Sequence, residues 1–163
     1  MYDYDVIVAG AGPAGASASL FLSQLGIRHL VFDRSSFPRH KVCGDGLTPM
    51  CFTLLEQVIP NIKAQFATHA HMQKVAGVRL FSNSGRYADF FSKDYVKAEK
   101  DHVYTGSRYH FDHLLVQELQ LRPEAVFWQN TQLADYMVEE DGVVVTLKND
   151  GALKQLRAKV LIA

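Results

Sequence analysis

Apolar residues along this chain fall first into short unbroken blocks and later into strict alternation. The block Val6-Ile7-Val8-Ala9 stops at a glycine and predicts a strand over Tyr4–Ala9 that is buried on both faces. Small and apolar side chains over residues 13–25 then predict a helix, which Gly26 closes. A second apolar block, residues 29–33, completes strand, glycine turn, helix and strand within about thirty residues, the pattern of a right-handed βαβ crossover between parallel strands.

Beyond it the rhythm changes. Residues 34–46 are rich in Ser, Pro, Arg and Gly without periodicity and read as an ordered loop. Thr48 as cap and Pro49 at the first helical position predict a short helix through Val58, stopped by Pro60. Residues 61–74 carry no decisive period. Residues 75–82 and 86–92 flank Asn83-Ser84-Gly85 and predict a hairpin, with residues 102–105 as a further strand. Phe111, Leu114, Leu115 and Leu119 predict an amphipathic helix from near Ser107 to before Pro123, followed by a parallel strand over Ala125–Trp128. Three alternating segments, 133–139, 143–148 and 153–158, are separated by Asp141-Gly142 and Asp150-Gly151 and predict a β-meander, after which 159–163 resumes a buried, parallel-type strand. The expected fold class is α/β, a parallel sheet with inserted antiparallel strands and a meander. Its organisation is a nucleotide-binding part with its loop (1–60), an inserted antiparallel part (61–105), and a return to the first part (106–163).

With 163 residues, 48% hydrophobic and 21% charged, the chain is an ordinary globular domain that needs no disulfide or metal to hold a core. Its 17 basic and 17 acidic residues balance and form no long like-charge run, which argues against nucleic acid as a partner and gives no pull toward an anionic membrane. The start has neither a basic leader nor an unbroken apolar span, so a cytoplasmic protein is expected, with Cys43 and Cys51 as reduced thiols. His69, His71, His110 and His113 have ligand-like spacings but no accompanying ligand set, and no metal site is expected.

The chemistry concentrates in Gly10-Ala11-Gly12-Pro13-Ala14-Gly15, a G-x-G-x-x-G between strand and helix, with Asp33 ending the next strand 18 residues after Gly15. The first glycine permits the tight turn, the second lets a pyrophosphate reach the backbone, and the third lets helix and strand pack closely. N–H groups at the helix start face the anion, and Asp33 is placed to accept from an adenosine ribose. A carboxylate there disfavours a bound 2′-phosphate, leaving FAD or NAD. A tight turn without nucleotide is the alternative.

The glycine run, Asp33-Arg34, the segment Pro38-Arg39-His40-Lys41-Val42-Cys43-Gly44-Asp45-Gly46-Leu47, and Arg108-x-x-Phe111-Asp112 together resemble the geranylgeranyl reductase family. That family lies within the FAD-dependent oxidoreductases that include para-hydroxybenzoate hydroxylase-type monooxygenases and flavin halogenases. The resemblance implies a Rossmann-type FAD site built from Gly10, Gly12, Pro13, Ala14, Gly15, Asp33, Arg34, Arg39, Lys41, Cys43, Gly44 and Arg108. In it Asp33 holds the ribose, Arg34 lies at the adenine end, Arg108 reaches the cofactor, and the loop at Cys43 lies along the flavin.

Other readings stand beside these: a solvated charge for Arg34, a helix-end ion pair for Arg108, and a small buried packing residue for Cys43, whose thiol Arg39 and Lys41 could otherwise tune toward catalysis. Cys51 is expected in the core. Phe81, Tyr87, Phe90, Phe91, Tyr95 and Tyr104 are expected in a sheet core, or lining a cavity for an apolar or aromatic substrate. Segments the family has after residue 163 are missing, so the chain is expected to be the N-terminal portion of a longer enzyme that reduces a prenyl-type double bond with NAD(P)H. Aromatic hydroxylation or halogenation, a nucleotide-binding module without turnover, and an NAD-binding dehydrogenase are the alternatives.

Overall fold

A computed structural model of the chain describes residues 1–43, 46–91 and 103–163. These divide into two compact units, one of residues 1–41 and 108–163, the other of residues 42–107.

In the first unit the glycine-punctuated opening folds as its pattern dictates. Strand β1 (Tyr4–Ala9) leads to helix α1 (Pro13–Gln24), and β2 (His29–Phe32) returns beside β1 in parallel. Gly26, with a φ of 70°, ends α1 in the left-handed region that favours glycine. Helix α4 (Arg108–Gln120) precedes β8 (Ala125–Trp128), which pairs in parallel on the far side of β2. Then β9 (Thr131–Glu139), β10 (Gly142–Asn149) and β11 (Ala152–Ile162) form antiparallel neighbours. The sheet order is β8-β2-β1-β11-β10-β9, a parallel half and an antiparallel half joined at β11.

That junction differs from expectation. Segments 153–158 and 159–163 are one strand, with Ala158 paired to Val143 of β10 on one side and to Tyr4 of β1 on the other. Alternation carries straight through, since the chain changes partner without a turn. The two Asp-Gly dipeptides also part ways. Asp150 and Gly151, with φ of 46° and 85°, make the two-residue hairpin turn with both central residues at positive φ. Gly142 instead opens β10 where a Cβ would stand 2.5 Å from the Ala158 carbonyl oxygen and 2.9 Å from the Tyr2 ring, so its smallness is needed for packing.

The core lies between the two halves. Ile7, Leu30 and Phe32 of the parallel strands pack with Val143, Val145, Leu147, Leu156 and Ala158 of the antiparallel ones, all at most 6% exposed. Buried Leu and Ile side chains each contribute roughly 1.5–3 kcal/mol through removal from water. Helices α1 and α4 pack on each other, burying Ala16 and Leu20 of the one and Phe111, Leu115, Val116 and Leu119 of the other. On α4 the buried stripe also includes Asp112. His29 is fully buried between Ser19 Oγ, 2.6 Å from its Nε2, and the Ile27 carbonyl, which accepts from Nδ1 at 2.8 Å and so fixes the tautomer.

In the second unit β3 (Gly46–Leu47) and β4 (Met72–Lys74) flank β7 (Tyr104–Gly106), all antiparallel. Helices α2 (Pro49–Leu55) and α3 (Ile62–Thr68) supply its core, in which Phe52 meets the rings of Phe66 and Tyr104 edge-on at 5.0 and 5.1 Å. The predicted hairpin forms as β5 (Gly77–Phe81) and β6 (Tyr87–Phe91), with Gly85 at a φ of 78° in its turn. Phe81, Tyr87 and Phe90 of this hairpin are exposed and not core, while Tyr104 is buried as expected; the Phe91 side chain lies outside the described ones. Tyr95 lies outside the described residues. Among the described residues no helix is long and apolar enough to cross a membrane.

Candidate functional site: a glycine cradle with two arginines

Carboxyl ends of the parallel strands are where open α/β sheets bind ligands. Here β1 runs out into Gly10, whose φ of 99° needs glycine, and whose N–H donates to the Phe32 carbonyl at 2.7 Å. The turn delivers Gly12 to the start of α1, where no side chain among the described residues caps the helix and no acidic residue stands in the first turn. Pro13 has no N–H to leave unpaired, and the first-turn amides behind it lack intrahelical acceptors. Gly15 packs hard against the turn: a Cβ there would lie 1.8 Å from the Gly10 carbonyl oxygen. Gly10 and Gly15 therefore have their expected mechanical reasons.

Asp33 sits at the end of β2, 7% exposed. Its Oδ2 accepts from the Ala11 amide at 2.9 Å and its Oδ1 from the Ser35 amide at 2.8 Å, so the carboxylate braces the glycine turn. A carboxylate has about four lone-pair sites, which leaves capacity for ribose hydroxyls. The backbone of Asp33 is itself held by Trp128 and Thr131, N–H to carbonyl at 3.0 Å and carbonyl to N–H at 2.9 Å. Beside it opens a cleft of about 410 Å³, lined by Gly10, Asp33, Arg34, Arg39, Lys41 and Leu133 among others, within the size range of small-molecule sites.

Two guanidinium groups complete the site. The loop carrying Arg39 is pinned by the Phe37 amide, which donates to Gln129 Oε1 at 2.6 Å, and by the edge-on contact of the Phe37 and Phe127 rings. Arg39 stacks over Phe37, 4.8 Å from the ring centre, and its Nη1 comes 3.0 Å from Asp112 Oδ2. Arg108 Nε and Nη2 donate to Asp112 Oδ1 and Oδ2 at 2.6 and 2.8 Å. The helix-end ion pair weighed for Arg108 is therefore real. It does not remove Arg108 from the site, because the Nη2 atoms of Arg39 and Arg108 lie 3.4 and 3.7 Å from where a Cβ on Gly12 would stand.

These residues fit the anionic bridge of a dinucleotide. The cradle is kept open by glycine, two fixed cations face it, and Arg39 Nη1 is buried without a hydrogen-bond acceptor among the described residues. It is close to Asp112 but its N–H is not aligned on it.

Gly10, Gly12, Pro13, Ala14, Gly15, Asp33, Arg34, Arg39, Lys41 and Arg108 all belong to the first unit; Arg34 and Lys41 are exposed on the rim of the cleft. Gly44, with Asp45, lies outside the described residues. Cys43 belongs to the second unit and is exposed, which overturns the buried packing reading; Cys51 is half-buried, not core, with its Sγ 3.4 Å from Thr48 Oγ1. The sequence names Asp112 within the Arg108-x-x-Phe111-Asp112 resemblance without a role of its own, and Gln129 not at all. The spacing of Arg108 and Asp112, one helical turn apart, was the available signal for the first; nothing local marks the second.

Comparisons with known proteins agree with the geometry. A menaquinone reductase of Mycobacterium tuberculosis is 50% identical over 54 residues, 33% of this chain and 13% of that protein. A geranylgeranyl diphosphate reductase of Rhodobacter capsulatus is 25% identical over 96% of the chain and 40% of its own length. Among solved structures, CmlS, a flavin-dependent halogenase, superposes with a TM-score of 0.77 at 27% identity, over 99% of this chain and 29% of that one. The chain thus spans less than half the length of each of these relatives. The match to the family described as FAD binding domain runs from residue 3 to residue 163, nearly end to end, and on that ground the chain belongs to this family.

Proposed function

We propose that this chain is the adenosine- and diphosphate-binding part of an FAD-dependent oxidoreductase that reduces a prenyl-type double bond, with NAD(P)H as electron donor and an apolar small molecule as substrate. The observation that carries the cofactor half is the Gly12 cradle faced by Arg39 and Arg108 beside the ribose-ready Asp33. FAD when bound supplies the hydride chemistry. The chain's own residues bind and orient it: first-turn amides and the two guanidiniums take the diphosphate, and Asp33 takes the ribose. Support for the reaction half is the likeness to two reductases, one of them a geranylgeranyl diphosphate reductase. The likeness to a flavin-dependent halogenase favours halogenation as the second reading.

Calorimetric titration of the chain with ADP and FAD tests the cofactor half. Both ligands saturate, and Asp33→Ala weakens both by about tenfold or more, since a hydrogen bond to a charged group is worth roughly 1.5–3 kcal/mol. Absence of heat with either ligand would sink it. The reaction half is read on the full-length protein: NAD(P)H consumed with geranylgeranyl diphosphate, and a product heavier by two hydrogens. Halide incorporation into an aromatic acceptor would assign the second reading instead.

A further inference from the structure

We propose that Asp112 is a positioning residue that yokes Arg39 and Arg108 into one two-pronged clamp for the diphosphate. The inference rests on the dinucleotide reading of the cradle and adds a residue to it. The two arginines come from separate segments, a loop after β2 and the first turn of α4, and Asp112 touches both: bidentate to Arg108 at 2.6 and 2.8 Å, and 3.0 Å from Arg39 Nη1. Two guanidiniums this close repel. One carboxylate between them cancels one of the two positive charges, and Asp33, 4.0 Å from Arg39 Nη2, lies against what remains.

Burial makes the arrangement informative. Asp112 is fully buried and both arginine side chains are 13% exposed, so all three groups have given up most of their water. Such triads are poor sources of stability, because desolvation offsets the attraction and apolar replacements of similar volume often serve as well. A stability role alone therefore does not account for this one. Its geometry does: Nη2 of each arginine sits within 3.7 Å of the position a Cβ on Gly12 would occupy. Among the described residues Arg39 Nη1 is buried with no hydrogen-bond acceptor, although it lies at ion-pair distance from Asp112. An aligned pair would have satisfied that donor. Arg39 is instead drawn toward two carboxylates, with Nη2 4.0 Å from Asp33 Oδ2, and is held between the ribose residue and the yoke.

The test compares ADP with adenosine, which lacks the phosphates, on the 163-residue chain. Asp112→Asn keeps the shape and removes the charge. ADP affinity is expected to fall on the order of tenfold, the worth of one charge-assisted hydrogen bond, with adenosine affinity unchanged. The ADP-to-adenosine ratio is the readout, since a merely structural role would weaken both ligands together. A ratio equal to or higher than that of the unaltered chain overturns the proposal, the higher one because Asp112 would then do no more than cancel charge facing the phosphates. Should D112N fail to fold, Arg39→Lys keeps a cation beside Asp112 but loses the fork, and its ratio is expected to fall likewise; a retained ratio there also overturns it. If the unaltered chain binds no ADP, the dinucleotide reading and the clamp fall together, whereas ADP binding with an unchanged ratio removes the clamp alone.

Discussion

The two compact units treat their apolar residues in opposite ways. In the first, parallel and antiparallel strands share a core in which Ile7, Leu30 and Val145 are fully buried, and α1 and α4 bury Leu20, Leu115 and Leu119. In the second, α2 and α3 build a small core around Phe52 and Phe66, but the β5–β6 hairpin leaves Val78, Leu80, Phe81 and Tyr87 more than half exposed. A two-stranded ribbon has no third strand to pack its faces and is marginal alone in water. The glycine cradle stands on the unit whose packing is closed, which gives its donors the fixed geometry that recognition requires.

The sharpest way to break this contrast is to delete the same side chain in each unit. Leu115→Ala on α4 removes a residue with no exposure and is expected to cost about 2–5 kcal/mol by lost transfer energy and a residual cavity. Leu80→Ala on β5 starts from 57% exposure, so its effect is expected to stay within about 0.5 kcal/mol. Urea midpoints of the two variants decide. A large loss for L80A would mean that the hairpin face is covered in solution, and the contrast would dissolve.

Glycine gives a second, smaller comparison. At Gly15 a Cβ meets the Gly10 carbonyl oxygen at 1.8 Å and Val8 Cγ1 at 3.2 Å, so Gly15→Ala must move backbone. Overpacking of this kind costs about 1–3 kcal/mol, and here it also deforms the cradle, so ADP binding is expected to go with it. Gly85→Ala in the hairpin turn meets nothing within 4 Å and has only its φ of 78° against it, a strain of about 1–2 kcal/mol, with ADP binding intact. If G15A kept wild-type ADP affinity, the close approach of helix and turn would not be what holds the cradle open.

What could be read in advance follows the same division. The β1–α1–β2 unit was legible to within a residue, because an apolar block, a glycine turn and an acidic strand end constrain one another. The meander strands were legible from alternation, but the continuity of β11 was not: Leu156, Ala158, Val160 and Ile162 report which way side chains point, and not that the strand's neighbour changes from β10 to β1 at Ala158. Residues 61–74 were opaque since α3 has just two buried anchors, Ile62 and Phe66, one turn apart among polar residues. At the site, the glycines and Asp33 follow from local pattern. Asp112 does not, because the partner that makes it more than a helix-surface ion pair, Arg39, arrives from a loop 73 residues earlier in the chain.

Charge offers the gentlest probe of the hairpin. Arg79 Nε and Nη2 donate to Asp89 Oδ1 and Oδ2 at 2.6 and 2.8 Å across β5 and β6. The hydrogen bonds from Arg79, with the attraction of its charge, hold the Asp89 carboxyl below its ordinary value against the opposing effect of partial desolvation. A carboxyl whose pKa is depressed by folding contributes stability that is complete above its unfolded value and is lost as the pH falls through the folded one. The pair therefore steadies the hairpin throughout the neutral range and releases it only at acid pH below the ordinary carboxylate value. Asp89→Asn is expected to speed amide exchange along β5 and β6 at pH 7, leaving β1 and β2 as they were, with the difference from the unaltered chain closing in strong acid. Because the pair is exposed, salt should blunt the effect as well. Equal exchange at pH 7 would show that the ribbon is held by backbone pairing alone, and that the open packing of this unit extends to its charges.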